Sequence, residues 1–110
     1  MTDRELLELA AKAAGVNGPQ VQGFDGIVIG NERDGHIFWN PLQDDGDALR
    51  LAVKCQISFW QAGDASVTDH DALGPKMREP YNNDPYAATR RAIVRAAAEI
   101  GKQQEKNNDN

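Results

Sequence analysis

Two short apolar runs that do not alternate with polar residues set the tightest limit on this chain's fold: Ile27-Val28-Ile29 and Ile37-Phe38-Trp39, on either side of Asn31-Glu32-Arg33-Asp34-Gly35. β-Branched and aromatic residues favour strands and Asp34-Gly35 favours a reversal, so 27–39 reads as an antiparallel hairpin with a longer loop. A strand with one face in water alternates apolar with polar, whereas here both parities are apolar, which calls for cover on both faces. A chain of 110 residues has room for one hydrophobic core. The expected architecture is therefore α+β, a three-layer α/β/α sandwich with a small, mainly antiparallel sheet of three to four strands and three helices.

Three segments supply the helices. Thr2-Asp3-Arg4-Glu5 has the capping-box pattern, in which the Thr2 hydroxyl accepts the Glu5 amide. Leu6, Leu9, Ala10, Ala13 and Ala14 follow at helical spacing and Gly15 offers a stop, so a helix is expected over 3–14. Asp44, Asp45 and Asp47 precede Ala48, Leu49, Leu51, Ala52 and Val53, with Lys54 at the far end, predicting a second helix over 45–54 with charges matched to its dipole. Asp84-Pro85 opens a third, over 85–100, with Tyr86, Ile93, Val94, Ala97 and Ile100 as its buried stripe and Gly101 as its end. Cys55, Ile57 and Phe59 alternate with Gln56 and Ser58 as a strand leading to Trp60. Over 61–83, rich in Gly, Pro and Asn, only 65–68 reads as a strand. Residues 102–110 carry no apolar side chain to offset their ordering entropy, so the expected domain is 1–101, followed by a disordered polar tail at 102–110.

Charge and cysteine content narrow the functional classes. With 12 basic and 17 acidic residues the formal charge is -5, which repels a phosphate backbone at long range and suits a partner with a basic surface. The single Cys55 makes no internal disulfide and no multi-cysteine metal site, in keeping with a reducing cytoplasm. No apolar run approaches the roughly 20 residues that span a bilayer, and Met1-Thr2-Asp3-Arg4-Glu5 does not begin like an export signal, so no membrane association is expected.

Three stretches carry a family resemblance. They are 3–15, Asp3 to Gly15; Trp39-Asn40-Pro41-Leu42 running into Asp44-Asp45-Gly46-Asp47 and on to Val53; and Asp84-Pro85-Tyr86 through Arg90-Arg91 to Ala97. Together they make the chain resemble the phage ABA sandwich domain proteins, with the glycine-rich loop and 61–83 as the divergent parts. The resemblance implies a helix-sheet-helix sandwich encoded by a phage or prophage and acting in the cytoplasm of the infected bacterium. It brings no catalytic residue, ligand or cofactor with it.

The residues themselves offer several candidates. Asp44, Asp45 and Asp47 form an acidic group of the kind that holds a divalent cation or serves a nucleotide-handling enzyme, although Asp in a first helical turn also caps free amides and opposes the dipole. Asp69-His70-Asp71 is a second polar group, in a loop, and His36 sits at a strand edge. Cys55, between helix and strand, reads as buried rather than nucleophilic. No phosphate-loop glycine pattern, HExxH or familiar Ser/His/Asp spacing is present, so no cofactor is implied. Arg90, Arg91 and Arg95 make a basic stripe able to meet nucleic acid or an acidic protein surface, with Arg91 also placed to pair with Asp45 or Asp47. Of the two tryptophans, Trp39 reads as core, and Trp60, on the parity opposite Ile57 and Phe59, as packing or a partner contact. The expectation is a non-enzymatic accessory protein that binds a host protein, a phage protein or a second copy of itself, with partner contacts at Trp60, Arg90, Arg91 and Arg95 and in the loops at 16–26 and 61–83.

Overall fold

The Thr2 hydroxyl accepts the Glu5 amide at 3.1 Å and Gly15 ends the turn at φ 71°, so α1 (Asp3–Ala14) starts and stops where its local chemistry directs. The computed structural model describes residues 2–16, 27–31, 35–70 and 76–108, with the main chain alone at 27–31, 35–37 and 107–108. Along it run β1 (Ile27–Asn31), β2 (Gly35–Trp39), α2 (Asp45–Cys55), β3 (Ser58–Gln61), β4 (Ala65–Asp69), β5 (Met77–Pro80) and α3 (Pro85–Asn108). The fold is α+β, with three helices and an antiparallel sheet of order β3-β4-β5 among the described residues.

β1 and β2 form the expected hairpin, with Ile27 opposite Trp39 and Asn31 opposite Gly35, as a separate two-stranded sheet. Two strands alone are marginal in water, and the anchor lies at the end of β2. Trp39 is buried in the core cluster, and Pro41 is fully buried beside it in sequence. Between them Asn40 holds the turn, its Oδ1 accepting the Leu42 amide at 3.0 Å and its own amide donating to Asp47 Oδ2 at 2.9 Å. Phe38, on the face opposite Trp39, is 61% exposed, so the cover expected on both faces of the second run does not extend to it; the side chains of 27–29 and 37, the turn 32–34 and the loop 17–26 lie outside the described residues.

Helix α3 organises the rest. Its closest partner is α1, which runs alongside it in the same direction: Asp3 meets Arg91 at 3.1 Å, Leu9 meets Gly101, and Lys12 meets Glu105 at 3.1 Å. Leu6, Leu7, Ala10, Ala11 and Ala14 on α1 and Ile93, Val94, Ala96, Ala97 and Ala98 on α3 belong to one buried cluster with Leu51, Ala52 and Cys55 of α2. Gly101 does not end α3. A Cβ there would fall inside the contact distance of the Leu9 carbonyl oxygen and 2.9 Å from its carbon, so this glycine lets two helix backbones approach. The helix continues through Asn108, in place of the disordered tail expected from 102, with the Lys12–Glu105 pair tying the extension to α1. Residues 109–110 lie outside the described residues.

α3 also packs on β4 and β5. In the sheet register Ser66 lies opposite Gln61 and Glu79, and those two bond to Thr89 and Arg95 of α3, so this face of the sheet meets the helix. Trp60, Val67 and Arg78 point to the other face. β4 is buried from Ala65 to Thr68, and its small side chains approach an alanine-rich helix, Ala88 and Ala92 among them. Ser66 Oγ and Thr68 Oγ1 are buried without a hydrogen-bond partner among the described residues.

Two further elements depart from the sequence expectation. Gln56 takes φ 57° and caps α2, its amide donating to Val53, so Cys55 stays helical and β3 begins only at Ser58. β5 falls in a stretch expected to be irregular; Met77-Arg78-Glu79-Pro80 has little β-propensity of its own, and pairing with β4 makes it a strand.

Candidate functional site

The acidic group of α2 is a helix start. Asp44 is the N-cap, its Oδ2 accepting the Asp47 amide at 2.8 Å. Asp45 turns to Arg90 of α3, at 2.6 Å, and nearly buried Asp47 accepts the Asn40 amide and Arg50 Nη2, the latter at 2.7 Å. Asp44 also lies 3.8 Å from Arg50 Nη2, so Asp44 and Asp47 share that guanidinium while Asp45 faces Arg90, and among the described residues no group of three or more His, Cys, Asp or Glu is placed to share a metal ion. The distinctive Trp-Asn-Pro and Asp-Asp-Gly-Asp stretches thus meet through Asn40 and Asp47 as one turn-and-cap unit.

The arginine stripe is distributed over three carboxylates. Arg90 donates from Nε to the Leu42 carbonyl at 2.9 Å and from Nη1 to Asp45; Arg91 reaches Asp3; Arg95 bonds Glu79 of β5. The pairing expected of Arg91 with Asp45 or Asp47 goes instead to Asp3, because α1 lies on that side of α3 and Arg90 has taken Asp45. Trp60 stands half-exposed, at 39%, on the sheet face turned away from α3, with Lys76 Nζ 5.6 Å from its ring centre. Asp69 and His70 line a small polar hollow of about 150 Å³ with Gln56 and Ser58, while Asp71 and the His36 side chain lie outside the described residues. Cys55 is buried, and burial pushes its thiol pKa up, with neighbouring Lys54 pulling the other way to a lesser degree, so the thiolate is disfavoured.

A larger feature was not singled out by the residues. Between α2, β3 and the first turns of α3 lies a groove of about 610 Å³, lined by Asp45, Ala48 and Leu49 from α2, Phe59 and Gln61 from β3, Tyr81, and Pro85, Tyr86, Thr89, Arg90 and Ile93 from α3. Its volume falls in the range of ligand pockets, about 300–1,000 Å³. Tyr86, expected in the buried stripe of α3, is instead 72% exposed at this groove, because that first turn projects beyond the core. Leu49 is 54% exposed, and Val53, one turn further along α2, is 71% exposed.

A small polar web crosses the same groove. The Tyr81 hydroxyl donates to Gln61 Oε1, Gln61 Nε2 donates to Thr89 Oγ1 at 3.2 Å, and Thr89 Oγ1 donates to the Pro85 carbonyl at 2.8 Å. These side chains spend their hydrogen-bonding capacity on one another, tying β3 to α3 and leaving apolar surface as the groove's main offering. One sequence signal did point here: Ala48, Leu49, Leu51, Ala52 and Val53 are more apolar residues than a single stripe of α2 can bury, and the surplus, Leu49 and Val53, is what stands exposed. Among the described residues no helix is long and apolar enough to cross a membrane. Comparison of the chain with protein-family models, with curated proteins and with solved structures finds no match.

Proposed function

We propose that this protein acts without catalysis, by binding another protein through the groove between α2, β3 and α3. The observation that carries the reading is the convergence of Leu49, Phe59 and Tyr86, large apolar side chains left in water on three different elements around one depression. Exposed apolar surface gathered in this way is the signature of a binding patch, whereas singly scattered apolar residues are ordinary. Leu49, at 54% exposure, gives up about 1 kcal/mol of burial that a partner would restore. The acidic balance of the chain, -5, directs the choice toward a partner with basic character. The biological setting, a phage or prophage protein working on a host or phage protein in the bacterial cytoplasm, rests on the sequence resemblance.

The test compares the chain with its Leu49→Asp variant, which places a charge in the groove at a position where α2 needs no apolar group. Immobilised wild type should retain a bacterial or phage protein saturably, and the variant, folded to the same denaturant midpoint, should retain about tenfold less. Equal retention by both overturns the groove as the binding surface. Concentration-dependent self-association that L49D abolishes would identify the partner as a second copy.

A further inference from the structure

We draw no further inference here: the strongest candidate, the apolar groove between α2, β3 and the first turns of α3 as the seat of a partner of defined chemistry, belongs to the site already described, its Asp45 and Arg90 are paired with each other, and nothing in the structure shows what covers it.

Discussion

The two flanks of α3 were built by opposite choices of side-chain size. Toward α1 the helix presents alanines and Gly101, backbones come into contact, and the seam is closed. Toward α2 and β3 it presents Tyr86, Thr89, Arg90 and Ile93, opposed by Leu49 and Phe59, and the elements stand apart around a groove. Small residues close an interface because packing attraction needs short distances. Large apolar residues on elements held apart leave surface for something else to cover.

Substitutions can break that contrast, and they rank by how much of the packed interior each disturbs. Gly101→Val should be the most damaging, since its Cβ meets the Leu9 backbone, which cannot rotate away. A loss of about 3 kcal/mol in urea unfolding is expected, at the upper end of overpacking costs and beyond the roughly 1 kcal/mol that removing a helical glycine returns. Unchanged stability would mean that the close α1–α3 approach is wrong. Arg90→Ala comes next at about 1–2 kcal/mol, mostly from the part-buried Leu42 carbonyl left without its donor, because the exposed Asp45 partner adds little.

Thr68→Val acts in the other direction. It replaces a buried hydroxyl lacking a partner among the described residues with a methyl of the same shape, and should raise stability by about 1 kcal/mol. A fall instead would show that the hydroxyl has a partner. Tyr86→Ser, at the open flank, should shift the unfolding midpoint by no more than about 0.5 kcal/mol while weakening partner retention. A large stability loss from that substitution would move Tyr86 into the core and shrink the groove to a packing defect.

Local signals were legible in the sequence wherever a helix end or a turn was encoded by residues within one turn of each other. Thr2 capping Glu5, Gly15 at positive φ, Asp44 capping Asp47 and Asp84 accepting the Ala87 amide at 3.0 Å are interactions at a separation of three residues or fewer. The burial of Trp39 and the hairpin register about 31–35 follow from equally short-range patterns. Gly101 was misread because a helix-ending glycine and a glycine at a helix crossing look the same until the neighbouring helix is known. β5 escaped because its strand character comes from β4, and Tyr86 because helical periodicity identifies an apolar face without saying how far along it the neighbours reach.

By itself the sequence determined three helices with their starts, a β-hairpin, an acidic surface and a single core, since caps, periodicity and composition act through neighbours in the chain. Tertiary structure alone decided that Asp45 meets Arg90 of α3, that the arginines of α3 face three carboxylates from different elements, and that Leu49, Phe59 and Tyr86 share one groove. Side-chain chemistry is written in each residue, but which side chains meet depends on how α1, α2 and the β3–β5 sheet pack around α3, a geometry set by long-range contacts that no local window contains.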